Sequence, residues 1–197
     1  MSGDGGPEPL VLASANPKKV AELRALLGDR FDLVARPDDV PEVVEDADTF
    51  EGNARLKAVA LVAATGMAAL ADDSGLEVDA LDGRPGVWSS RYAGEGATDA
   101  DNVAKLLVEL DGRPDRSARF RAVLVLRWPD GSEDVASGSV EGTIATAPQG
   151  ANGFGYDPVF LPVEGDGRTF AQMDADEKAA ISHRGRALRS LLGVLGE

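Results

Sequence analysis

Two periods run through the apolar positions of this chain. Short unbroken runs, Leu10-Val11-Leu12-Ala13 and Met67-Ala68-Ala69-Leu70, read as buried strands. Val20, Leu23 and Leu27 recur at helical spacing, behind Asn16 and Pro17 and ahead of Gly28. Asn is a good N-cap, proline suits the first helical position, and glycine stops a helix. The same signals predict a strand over 31–35 and a helix from a Thr49 cap to about residue 64, with Gly66 as its stop. Leu76 to Leu81 reads as another extended segment. A helix then follows Thr98, burying Val103, Leu106, Leu107 and Leu110 before Gly112.

Further on, Phe120, Ala122, Leu124, Leu126 and Trp128 alternate with Arg119, Arg121, Val123, Val125 and Arg127, the period of a long strand. Pro129-Asp130-Gly131-Ser132 turns it into a hairpin partner. A glycine-rich loop over 150–158 leads into the strand Val159-Phe160-Leu161. Asp174 and Glu177 form an N-terminal capping pair for a last helical region, with Leu188, Leu191, Leu192 and Leu195 as its buried stripe. The class is α/β with a mixed sheet, parallel at first and antiparallel later. Residues 1–9, rich in Gly and Pro, read as a disordered tail.

Composition narrows the function. The chain has 197 residues, no cysteine and one histidine, His183. A disulfide framework, a thiolate metal site and a multi-histidine metal site are therefore excluded. No run approaches a membrane span and no secretory leader pattern opens the chain, so the expectation is a cytoplasmic enzyme or binding protein. With 20 basic and 34 acidic residues the formal net charge is −14, which argues against broad nucleic-acid binding. An anionic small molecule would need positive charge concentrated locally. Only five basic residues are lysines (Lys18, Lys19, Lys57, Lys105 and Lys178), so a lysine hints that a compact point charge was wanted. Lys105 reads as a surface residue.

Candidate chemistry gathers at a few places. Ala71-Asp72-Asp73-Ser74-Gly75 is expected at the end of a strand, where open α/β sheets bind ligands. Successive side chains point to opposite faces, so Asp72 and Asp73 should differ in role; an ordinary acidic turn is the plainer reading. Lys18 and Lys19 fall in the first turn of a helix, where cations oppose the helix dipole. They are either solvated surface lysines or partners of a bound phosphate. Asn53 and Lys57, four apart, share a helix face. Phe154, flanked by Gly153 and Gly155, either stacks on a flat ligand or plugs a loop. Trp88 and Tyr92, in a long loop over 82–96, read as packing or interface residues.

Five segments occur in order: Ser14-Ala15-Asn16-Pro17-Lys18-Lys19, Thr49-Phe50-Glu51-Gly52-Asn53-Ala54, Ala71-Asp72-Asp73-Ser74-Gly75, Gly153-Phe154-Gly155-Tyr156-Asp157-Pro158, and Glu177-Lys178 with Ser182-His183-Arg184-Gly185. Together they resemble the Ham1/RdgB-like inosine triphosphate pyrophosphatases, over nearly everything from Val11 to Leu195. The resemblance implies an elongated, two-lobed α/β fold with a long central mixed sheet, residues 10–197 forming a single catalytic domain. It implies a homodimer that hydrolyses ITP, dITP and XTP to the monophosphate and pyrophosphate with Mg²⁺. It implies Asp73 as general base, and Asp73 and Glu45 as metal ligands. Ser14, Ala15, Asn16, Pro17, Lys18, Lys19, Lys57, Ser74 and Lys178 would bind substrate, the lysines on its phosphates. Phe154, Gly155, Tyr156, Asp157, His183 and Arg184 would form the base pocket. Two departures stand out: Ser14-Ala15 replaces a common Thr-Gly, and Gly52 replaces a position often acidic. The competing readings are a Maf-type pyrophosphatase acting on pyrimidine or modified nucleotides, and a nucleotide sensor that does not hydrolyse.

Overall fold

The computed structural model describes residues 8–196. Of the expected tail, residues 1–7 lie outside the described residues, and Pro9 already opens the first strand. Strands β1 (Pro9–Leu12), β2 (Asp32–Val34), β3 (Ala68–Val78), β4 (Ser117–Arg127), β5 (Glu133–Ile144) and β6 (Phe160–Pro162) form one sheet in the order β2-β1-β3-β4-β5-β6. The α-helices are α1 (Pro17–Leu27), α2 (Phe50–Thr65), α3 (Asp99–Glu109), α4 (Ala175–Ile181) and α5 (His183–Val194). β1 runs parallel to β2 and to β3, with Leu10 opposite Leu33 on one side and Ala68 on the other. β6 pairs antiparallel with β5, so the sheet is mixed, as the sequence predicts. Among the described residues no helix is long and apolar enough to cross a membrane.

The helix signals hold in atomic detail. The Asn16 side chain accepts hydrogen bonds from the backbone N–H groups of Lys18 and Lys19, and Pro17 opens α1. Thr49 caps α2 by accepting from the Gly52 N–H, and Gly66, left-handed at φ 68°, closes it. Thr98 with Asp101, and Asp174 with Glu177, form reciprocal capping boxes at α3 and α4. The last helical region is two helices: Ser182 is extended, and its hydroxyl accepts from the Gly185 N–H to cap α5. Each such cap contributes about 1 kcal/mol.

Two further expectations, both on strands, need correction. Asp72 and Asp73 do not end a strand. β3 is unbroken for 11 residues, through both carboxylates and on to Val78. Local preference favours a turn at Asp-Asp-Ser-Gly, but residues 68–73 are all buried, and buried backbone groups need the partners a ladder supplies. In β4, alternation gives way from Ala122 to Leu126, where five successive residues are buried, as suits a strand covered on both faces.

The described chain falls into two compact units. The first comprises the chain up to Asp73, Val123–Ser137 and the residues from Ala187 onward. Its core sets Ala54, Ala58 and Leu61 of α2 against Val11, Ala13, Ala69, Ala71 and Val125. The second comprises Ser74–Ala122 and Gly138–Arg186. Its core includes Leu76, Val78, Leu106, Val140 and three phenylalanines. Phe120 lies edge-on to Phe160 at 4.6 Å, and Phe170 sits 5.2 Å from Phe160. Such ring pairs add about 0.5–1.5 kcal/mol beyond their buried area.

Candidate functional site

In the first unit, the strand order locates the chemistry. The chain leaves β1 through α1 to β2 on one side, then returns through α2 to β3 on the other. That reversal makes the β1/β3 boundary the place where α/β sheets open to ligands, beyond the carboxyl ends of the strands. The Ser14–Lys19 segment follows β1 there, and β3 carries Asp72 and Asp73.

The two-residue alternation of β3 sends these carboxylates to different helices. Asp72 meets Lys19 of α1, with 2.9 Å between Lys19 Nζ and Asp72 Oδ1. Asp73 meets α2: Lys57 Nζ donates to its Oδ1 at 3.0 Å, and Asn53 Nδ2 donates to its Oδ2 at 3.3 Å. Lys57 also lies 3.4 Å from Glu45, so one ammonium is shared by two carboxylates. Asn53, completely buried, accepts from the Ala47 N–H at 3.0 Å, which ties the segment carrying Glu45 to the same helix face. Burial raises the Asp73 carboxyl above its usual range, against the lowering influence of Lys57 and Lys19. Burial acts to lower the Lys57 ammonium, but Asp73, Glu45 and Asp72 outweigh it and raise it, so it stays charged. A carboxylate with raised proton affinity beside a fixed cation is suited to taking a proton from water. Among the described residues no three His, Asp or Glu side chains gather as a ready metal cage.

In the second unit a different cluster forms. Arg184, the largest fully buried side chain among the described residues, donates from Nη2 to Ser74 Oγ at 3.0 Å. Its guanidinium lies 5.7 Å from the centre of the Phe154 ring, and Lys178 Nζ lies 4.8 Å from it. Lys178 Nζ donates to Asp157 Oδ2 at 2.7 Å, and the same oxygen accepts from the Phe154 N–H at 2.8 Å. His183 stacks on Phe120 at 4.7 Å with the rings 9° apart. The loop needs its glycines. Gly153 has φ 72°, and an added Cβ would fall 2.1 Å from Asp157 Oδ2. Gly155 donates its N–H to Asp99 at 2.8 Å. Tyr156 is buried, its hydroxyl donating to the Ser89 carbonyl at 2.9 Å.

The site residues anticipated from the sequence thus form two groups. Lys19, Lys57, Glu45 and Asp73 belong to the first unit, with Ser14, Ala15 and Asn16 in the turn between β1 and α1, and Pro17 and an exposed Lys18 in the first turn of α1. Ser74, Phe154, Gly155, Tyr156, Asp157, Lys178, His183 and Arg184 belong to the second. Within the second unit Lys178 sits with the aromatic group, ion-paired to Asp157. Asn53 and Asp72 were not among the anticipated site residues; the four-residue spacing of Asn53 and Lys57 was the available signal for the former. A side chain at Gly52 would meet Ala47, since an added Cβ would lie 2.7 Å from its Cβ.

The Ham1 family model matches residues 10–194. The chain belongs to the Ham1 family. Among relatives of this Ham1-family chain, the dITP/XTP pyrophosphatase of Nitratidesulfovibrio vulgaris is 54% identical over 195 residues, covering 93% of each chain. That of an Exiguobacterium species is 50% identical over 185 residues, covering 92% of this chain and 94% of the relative. A solved Ham1 protein from Coxiella burnetii superposes with a TM-score of 0.88 at 45% identity, covering 96% of this chain and 98% of that one. The α/β fold with a mixed sheet is therefore the fold of the family.

Proposed function

We propose that this chain hydrolyses non-standard purine nucleoside triphosphates (ITP, dITP and XTP) to the monophosphate and pyrophosphate. The observation that carries the reading is Asp73: a buried carboxylate of raised proton affinity, fixed by Lys57 and Asn53 beyond β1. Relatives about half identical over more than nine-tenths of the chain are dITP/XTP pyrophosphatases.

In the reaction, Asp73 accepts a proton from water as the water oxygen bonds to phosphorus. The α–β bridging P–O bond breaks, and its electron pair leaves with pyrophosphate. Lys57 and Lys19 stand where added negative charge is stabilised by fixed cations. Mg²⁺ belongs to the proposal. Asp73 and Glu45 already share a cation, the Lys57 ammonium, and a two-carboxylate donor set suits an ion that completes its shell with waters and phosphate oxygens. When bound, the ion would polarise a phosphoryl oxygen.

Base choice falls to the second cluster. Arginine carries only donors. Hypoxanthine and xanthine present an oxygen at position 6, whereas adenine presents an amino group. A buried Arg184 therefore pairs with the first two and leaves adenine's donor opposed, the kind of mismatch that discriminates strongly. Phe154 supplies the stacking face, and Lys178 and Asp157 hold it. Homodimeric assembly is part of the same proposal, and light scattering on the purified protein tests it.

The deciding assay incubates the protein with ITP and with ATP, each with and without Mg²⁺, and identifies the products. IMP and pyrophosphate from ITP, only with Mg²⁺ and with ATP largely spared, is the expected result. Orthophosphate release, or equal use of ATP, refutes the reaction or the selectivity; binding without turnover identifies a sensor.

A further inference from the structure

The positive charges assigned to the phosphates are largely committed already. Lys19 is paired with Asp72, Lys57 with Asp73 and Glu45, and Lys178 with Asp157. A triphosphate carries more negative charge than these shared ammoniums can neutralise, so uncommitted cations nearby are the ones to look for.

Among the described residues, Arg24 and Arg36 of the first unit are such cations. A cavity of about 540 Å³ opens just beyond the carboxyl ends of β1 and β2, beside α1. That volume is in the range of small-molecule sites. Leu12 and Val20 supply apolar wall, and Ser14, Arg24, Arg36 and Asp38 supply the polar groups. Neither Arg24 nor Arg36 makes an ion pair among the described residues. Arg36 spends one donor on the Val40 carbonyl, Nη2 at 2.7 Å, which anchors the guanidinium and leaves its other N–H groups for a ligand. In a chain of net charge −14, a cavity with two arginines against one carboxylate is an exception to the overall field.

The same cavity adjoins the candidate catalytic groups. Ser14 and Ala15 belong to the turn after β1, and Arg36 and Ala15 also line a smaller cavity with Glu45 and Lys57. Arg36 therefore lines both the cavity it shares with Glu45 and Lys57 and the cavity it shares with Arg24. We infer that this cavity is a phosphoanhydride subsite, in which Arg36 and Arg24 take the terminal phosphates of the substrate or the pyrophosphate that hydrolysis releases. The inference rests on the function proposed above. Guanidinium forks match phosphate oxygens in pairs and remain charged at all working pH values, which makes two arginines suited to holding a released dianion.

Titration calorimetry of the full-length protein with inorganic pyrophosphate as probe, and with IMP as a control ligand, tests this. Arg36→Gln keeps an amide donor for the Val40 carbonyl but removes the charge. Pyrophosphate should bind about tenfold more weakly to it, the scale of a lost charge-assisted hydrogen bond, with IMP binding unchanged. Arg24→Gln should weaken pyrophosphate severalfold. Asp38→Asn should tighten it, a gain that damage to the fold would not produce. A parallel rise in KM for ITP in Arg36→Gln, with free pyrophosphate unaffected, identifies the substrate's terminal phosphates as the occupant. A change in pyrophosphate affinity identifies the product as well. If the dissociation constant for pyrophosphate and the KM for ITP both stay within about twofold of wild type, the subsite does not exist. Wild-type protein that binds pyrophosphate through Arg36 yet leaves ITP intact keeps the subsite and refutes only the activity.

Discussion

Replacing Gly153 by alanine isolates the loop geometry on which base selection depends. The residue sits at φ 72°, where a Cβ costs about 1–2 kcal/mol. The new methyl would also arrive 2.1 Å from Asp157 Oδ2, far inside contact distance, so Asp157 must move. That oxygen accepts both from Lys178 and from the Phe154 N–H, and the Asp157 and Lys178 side chains are only 3% and 8% exposed. Breaking such a buried pair outright costs about 3–5 kcal/mol, and partial displacement costs part of that. The expected loss is therefore about 3–5 kcal/mol in all, read by equilibrium urea unfolding. A control lies two residues away. Gly155 has φ 60° but nothing within 4 Å of an added Cβ, so Gly155→Ala should lose only the conformational part, about 1–2 kcal/mol. Under conditions where both variants stay folded, Gly153→Ala should also lose preference for ITP over ATP, because Phe154 loses its anchor. Equal destabilisation in the two variants would falsify the clash with Asp157 as the cause.

Other outcomes follow from the same contacts. Asp73→Asn should cut ITP turnover about 10²–10⁴-fold while nucleotide binding persists, the range for removing a general base; turnover within a few-fold of wild type removes Asp73 from that role. Arg184→Met should lower the ITP-over-ATP ratio of kcat/KM roughly a hundredfold or more, and an unchanged ratio sinks the donor argument. Burial first, then the hydrogen bond to Glu109, raises the Tyr92 phenol to about 12. A raised phenol stabilises the fold fully below its unfolded value near 10, and that contribution disappears as pH climbs through about 12. Tyr92→Phe should therefore flatten the alkaline loss of stability between those values, and parallel unfolding curves for the two proteins would contradict it.

Much of the site was legible because its residues announce themselves by position. Asn16-Pro17 and Thr49 marked where α1 and α2 begin, and the spacing of Asn53 and Lys57 put both on the face that meets Asp73. What stayed hidden depends on burial, which a local pattern does not carry. Asp-Asp-Ser-Gly has turn chemistry, yet tertiary burial and two lysines from separate helices hold it as the middle of β3. Lys178 is paired with Asp157, 21 residues earlier, a partner that no local spacing signals. Lys105 is exposed, as its reading as a surface residue expects; what the pattern does not carry is that its ammonium donates to the Tyr92 carbonyl at 2.7 Å and lies over the Tyr92 ring. Trp88 is exposed, with the Arg91 guanidinium 4.4 Å from its ring centre, a contact that burial patterns do not signal. Arg36 carried no motif at all; only the cavities on either side of it single it out.

The alternation that gives Asp72 to Lys19 and Asp73 to Lys57 makes β3 intolerant of changes in length in a way that substitution scans will not reveal. A strand's faces are assigned by odd and even position. Deleting or inserting one residue between Ala68 and Asp73 would turn every later side chain over and exchange the two carboxylates between α1 and α2. Each would still find a lysine, so charge balance would survive while the base pointed to the wrong helix. Relatives that keep the chemistry should vary in what stands along this strand but keep its count from Ala68 to Asp73 fixed, with length changes confined to the loops.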